Sequence, residues 1–182
     1  MSGNAIHINK DYKPDELKKG IYLVLLNANH LPPHIGLLID SVYHSLTIKG
    51  QELNINGGVL LKNISLRKIA TVFIKLKKHP VFSNQFLNET FIEQVKLFDR
   101  VNEVENTCMS PIRLFFDEFY ALPKENIKLI FDLLRGLKEN DFIDETYGAN
   151  LGELKENIFY LHTYNEKDLK KQIKSELQKI KP

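Results

Sequence analysis

The stretch HIGLLIDSVYHSLTIKG, residues 34–50, holds two apolar runs of strand length separated by Asp40-Ser41. Asp and Ser suit a tight reversal, so the two runs read as a β-hairpin. With the turn centred there, residues whose numbers sum to about 81 face each other, which sets His44 opposite Leu37 and three residues along from His34. At roughly 3.3 Å per residue the two imidazoles stand about 10 Å apart in a flat pairing. A bulge or register shift is needed to bring them together.

Working outward, GIYLVLLNA (Gly20–Ala28) is another apolar run of strand length, closed by the turn that Pro32 and Pro33 impose. Downstream, Asn56-Gly57-Gly58 is a turn signal, and IATVFIKLKK (Ile69–Lys78) reads as a strand that ends before Pro80. The hydrophobic period then changes. Phe91, Ile92, Val95, Phe98 and Val101 recur at helical spacing behind a start at Asn88-Glu89. Ile112, Phe115, Phe116 and Phe119 mark a second helix, and Ile127, Ile130, Phe131, Leu134 and Leu137 a third. Asn157–Tyr164 reads as a late strand, followed by a charged amphipathic helix over about 166–181 with Leu169, Ile173, Leu177 and Ile180 on one face. The predicted class is α+β, an antiparallel β-sheet packed against helices on one side. The whole of 1–182 reads as a single domain with its core over about 15–164.

Composition narrows the function. The chain has 182 residues, 43% hydrophobic and 26% charged, enough for one good core. Its 25 basic and 23 acidic residues nearly cancel, so no nucleic-acid partner is expected. A single cysteine excludes an internal disulfide, and no Cys-x-x-Cys offers a zinc ribbon. The N-terminus lacks the pattern of a signal peptide, and no segment stays uncharged long enough to span a membrane, so a cytoplasmic location is expected. Asn56-Gly57-Gly58 has no Gly-x-Gly-x-x-Gly context and no following Lys-Ser/Thr, so a phosphate loop is unsupported.

That cysteine lies in ENTCMSPIRLFFDEFY. Pro111 is tolerated only in the first turn of a helix and Thr107 can cap one, so the helix starts just before Pro111. Cys108 precedes Ile112 by four residues and shares its buried face. It also sits at the positive end of the helix dipole, which favours thiolate, and the unpaired N–H groups there suit an oxyanion.

A His opening an H-x-G-aliphatic strand (HIGLLIDSVYH), a second polar ring in the next strand, and a Cys helix (NTCMSPIRLFF) some seventy residues later resemble the circularly permuted papain-like, NlpC/P60-type cysteine hydrolases. That group includes lecithin:retinol acyltransferase-like enzymes and YaeF/YiiX-like amidases. The resemblance covers roughly Gly20 to Tyr120. It implies a thiolate nucleophile at Cys108, a general base at His34 and an orienting residue at His44, acting on a small acyl, peptide or lipid-like substrate. The acyltransferase-like branch carries an Asn-Cys-Glu-His-type motif where this chain reads Thr107-Cys108-Met109-Ser110.

A plainer reading stands beside it: Cys108 as a core thiol, His34 satisfying loop carbonyls, His44 as a half-exposed sheet histidine, and the fold as a non-catalytic binding module. His30, His79 and His162 carry only structural readings. A zinc site from His30, His34, His44 and Cys108 is disfavoured because Pro32-Pro33 prevents helical presentation of the first two. No cofactor or metal is expected. The C-terminal helix reads as a solvated helix packing on the domain.

Overall fold

The computed structural model describes residues 4–102 and 105–180. In chain order the elements are β1 (Ala5–His7), β2 (Lys10–Asp11), β3 (Ile21–Leu26), β4 (His34–Ile39), β5 (Val42–Thr47), β6 (Gly50–Asn56) and α1 (Gly57–Leu66). They continue with β7 (Thr71–Leu76), α2 (Asn84–Lys96), α3 (Met109–Tyr120), α4 (Ile130–Glu139), β8 (Ile143–Ala149), β9 (Ile158–Tyr160) and α5 (Glu166–Ile180). The class is α+β. A seven-stranded sheet runs in the order β2-β8-β7-β3-β4-β5-β6, antiparallel except for the β2–β8 pair, and β1 pairs with β9 in a small separate ladder.

Strand alternation divides the sheet's two faces. Ile35, Leu37 and Ile39 of β4 join Leu23, Leu25, Val72 and Ile74 in a core with Phe91 of α2, Phe115 and Phe116 of α3 and Leu133 and Leu134 of α4. Leu38 points the other way, with Tyr22, Val24, Tyr43 and Phe73, and meets Leu60, Leu61 and Ile64 of α1. Helices therefore cover both faces, not one as expected from the sequence. The correction comes from Asn56-Gly57-Gly58, which opens α1 instead of making a turn: the Asn56 side chain accepts the Gly58 N–H at 2.8 Å, capping the helix. The core also begins ahead of residue 15, because Ile6 and Ile8 are buried in the larger cluster.

Two helix boundaries move. α2 starts at Asn84, where the Ser83 hydroxyl accepts the Phe86 N–H, and it ends at Lys96, so Asn88 is interior and Phe98 and Val101 lie beyond it. The late strand shrinks to Ile158–Tyr160. In α5 the apolar stripe docks: Ile173 clusters with Leu46 and Val101, and Leu169 and Leu177 pack against them. The side chain of Ile180 and the helix end expected at Lys181 lie outside the described residues. Among the described residues no helix is long and apolar enough to cross a membrane.

Candidate active site

The hairpin forms in the register that the turn dictates. Ile39 pairs with Val42, Leu38 with Tyr43, Leu37 with His44 and Gly36 with Ser45. There the β4–β5 ladder stops, leaving His34 and Ile35 paired only to β3, with Leu26 and Leu25. The two strands part at this point, and Cys108 meets the parting.

Cys108 is held by the cap of α3. The Thr107 hydroxyl accepts the Met109 N–H at 3.1 Å, and the Ser110 hydroxyl accepts the Thr107 N–H at 2.9 Å, a reciprocal arrangement that fixes the first turn. With the Ser110 N–H bonded to the Thr107 carbonyl, three N–H groups at the helix end expected to be open for an oxyanion are already taken. The sulfur lies against the backbone N–H of Ile35 and those of Cys108 and Met109. Half-buried by its solvent exposure, Cys108 packs against both the main core and the Leu46–Val101–Ile173 cluster. Burial outweighs the N–H groups and pushes the thiol up to about 11. The expectation of a resting thiolate is thus corrected: the helix end is present, but desolvation of the charged form exceeds what it supplies.

His34 is adjacent in backbone and turned in side chain. The thiol meets the peptide joining His34 to Ile35, whereas alternation along β4 assigns the imidazole to the Leu38 side, with Tyr43 and Ser45. Burial lowers the His34 pKa, and the Glu52 carboxylate pulls it the opposite way. Its Nε2 is buried with no hydrogen-bond partner among the described residues, and so is the Tyr43 Oη.

His44 cannot orient His34, because both of its ring nitrogens are in use. Nδ1 accepts the Asn54 N–H at 3.1 Å, which places the proton on Nε2, and Nε2 donates to Asn88 Oδ1 at 3.0 Å. The ring is fully buried, edge-on to Phe91, and burial lowers its pKa. It faces α2 because its partner Leu37 does, and it bridges the β5–β6 bulge to that helix.

The side chains near His34 that sequence reasoning missed are Tyr43, Ser45 and Glu52. The buried Ser45 hydroxyl donates to Glu52 Oε2 at 2.7 Å, and Gly36, Ser45 and Glu52 form one cross-strand row. The sum rule that located His44 also puts Ser45 opposite Gly36, two residues from His34 on the same face, and this was the available signal. No group of three or more metal-ligating side chains occurs among the described residues. Compared with known proteins, the chain matches no family model, no curated protein and no solved structure.

Proposed function

We propose that this chain is a cysteine-dependent hydrolase or acyltransferase acting on an amide, ester or thioester of a small acyl, peptide or lipid-like substrate. The sheet and Cys-bearing helix would then form a circularly permuted papain-like arrangement. The observation that carries the reading is the contact of the Cys108 sulfur with the Ile35 N–H, one peptide from a histidine whose buried Nε2 has no partner. Buried polar atoms are almost always paired in native proteins, so an unpaired imidazole nitrogen in the strand whose backbone meets the thiol supports a reading in chemistry more than in packing.

The resting pair is thiol and neutral imidazole, since burial disfavours both charged forms. In the reaction the His34 imidazole would have to turn from the Leu38 side toward the parting; the sulfur then attacks the substrate carbonyl carbon while its proton passes to His34 Nε2. Collapse of the tetrahedral adduct expels the leaving group, which takes that proton, and leaves a thioester on Cys108. Water or another nucleophile then attacks the thioester, giving its proton through His34 back to the sulfur. Glu52, which accepts the Ser45 hydroxyl, supplies negative potential on the His34 side, supporting the imidazolium that forms transiently.

The thiol's burial favours a second reading, a binding module with an inert Cys108. Iodoacetamide labelling of Cys108 against pH, followed by intact mass in wild type and His34→Ala, separates the two. An active pair labels at neutral pH at a rate that falls on the order of 100-fold without His34. Superimposable profiles in the two proteins, rising only above the ordinary thiol pKa of about 8.5, would leave the binding module.

A further inference from the structure

We propose that the outer face of α5 is a docking surface for an anionic lipid bilayer, held there by a strip of four lysines. This surface is independent of the chemistry at Cys108. Successive residues of a helix turn by about 100°, so side chains three, four and seven apart share a face. Leu169, Ile173 and Leu177 share one such face and pack with Leu46, Val101, Ile48 and Phe98. Lys167, Lys170, Lys171 and Lys174 fall together on another, and all four are exposed. Among the described residues none of the four forms an ion pair. The acids of the helix are engaged elsewhere. Glu166 faces Lys128 of the body at 3.7 Å, Asp168 accepts the Asn165 N–H at 3.1 Å, and Glu176 accepts from Lys179 at 2.6 Å and from Gln172 at 3.3 Å.

The strip works against the helix that carries it. Lys167 with Lys170 and Lys171, and Lys174 with Lys170 and Lys171, are like charges three or four residues apart, a destabilising spacing. Ile173 is the one fully buried apolar side chain of α5 among the described residues, so the helix bears this repulsion while docking by little apolar surface. An external anionic surface would convert the repulsion into a shared attraction. The composition of the strip selects the kind of anion. Lysine acts as a point charge, whereas bidentate recognition of phosphate or base edges favours arginine, and α5 has none. It also has no aromatic side chain on which a nucleobase could stack. From Lys167 to Lys174 the helix rises about 10 Å, and the diffuse negative potential of a bilayer rich in acidic headgroups matches such a strip of point charges. Each lysine at that surface contributes about fivefold to partitioning, so four together give on the order of several hundred-fold, weakening with salt.

The test is co-sedimentation of the full chain with sucrose-loaded vesicles, of phosphatidylcholine alone and of phosphatidylcholine with one third phosphatidylserine, at low and at physiological salt. The chain should pellet with the acidic vesicles at low salt, stay in solution with the neutral ones, and be released as salt rises. Lys167→Gln, Lys170→Gln, Lys171→Gln and Lys174→Gln together should lower partitioning on the order of several hundred-fold. A control carrying Lys13→Gln, Lys19→Gln, Lys62→Gln and Lys78→Gln, at exposed lysines elsewhere, lowers the net charge equally and should bind within about fivefold of wild type. Circular dichroism and the urea midpoint verify folding. Should the α5 variant fail to fold, the Lys170→Gln, Lys174→Gln pair takes its place, with an expected loss of about 30-fold. Equal pelleting with both kinds of vesicle, no pelleting with acidic vesicles at low salt, or equal losses in the α5 variant and the control would overturn the docking surface. So would binding of an oligonucleotide at lower phosphate concentration than the acidic vesicles require, lost with the same α5 substitutions, which would assign the strip to nucleic acid.

Discussion

Acidifying the protein from pH 7 to pH 5 should weaken the fold through two histidines. Burial holds His34 and His44 below the ordinary imidazole value of 6.5. Below pH 6.5 the unfolded chain takes up protons at these positions that the folded chain refuses, so stability is full above that pH and falls as pH drops toward the folded values. Inside that window each ring contributes a slope of about 1.4 kcal/mol per pH unit, and the pair about 2.7. Asp15 and Glu145, lowered by their hydrogen bonds to Lys18 and Lys10, titrate below 3.8 and 4.5 and leave the window clear. The assay is urea unfolding at half-unit pH steps and constant ionic strength, in wild type, His34→Phe and His44→Phe. Each variant should lose about 1.4 kcal/mol per unit of the acid slope. His44→Phe should also be weaker at pH 7 by about 1–3 kcal/mol, because the Asn54 N–H loses its acceptor. A wild-type curve that stays flat to pH 5.5, or equal slopes in all three proteins, would refute the claim that both rings are buried and neutral.

Two further outcomes test the geometry around the parting strands. Gly36→Ala should cost about 1–3 kcal/mol in urea unfolding, since a Cβ there would sit 2.5 Å from Tyr43 Oη and 2.6 Å from the His44 carbonyl oxygen. Tyr43→Phe should rescue only part of that loss, as the carbonyl clash remains, and a full rescue would contradict the close approach. Thr107→Ala should cost about 1 kcal/mol by removing the acceptor for the Met109 N–H. If its urea midpoint matches that of wild type, the cap contributes nothing.

The legible part of the fold is the part where local rules are strict. A two-residue turn at Asp40-Ser41 fixes a register, and Leu37 does pair with His44 as the numbers require. Thr107 and Pro111 likewise locate the start of α3 within a residue. What stayed hidden depends on distant partners. A helix opening on Gly57-Gly58 runs against propensity and exists because Leu60, Leu61 and Ile64 find an apolar sheet face. The strand Ile143–Ala149 reads IDETYGA, with too little apolar alternation to stand out, and is recruited by pairing with β7. The site was half legible for the same reason. Chain order set the Cys helix against the His strand, but the ends of the His44 hydrogen bonds, on Asn54 and Asn88, lie on other elements.

The thiol shows how a correct local argument can yield the wrong charge state. A helix N-terminus contributes about 0.3–1 kcal/mol toward an anion at an exposed site, less than one decade in the thiol equilibrium. A thiol pushed up to about 11 is ionised in about one molecule in ten thousand at pH 7. The local term is real and is outweighed by desolvation where the thiol packs against two apolar clusters. This ordering of magnitudes makes desolvation, and not the helix end, the decisive influence on reactivity. Improving the cap at Thr107 can move the thiol by a fraction of a decade, whereas hydrating the sulfur can restore the whole difference from an ordinary cysteine. If Cys108 and His34 are a catalytic pair, reactivity is therefore set by what packs around the sulfur more than by the helix end that presents it.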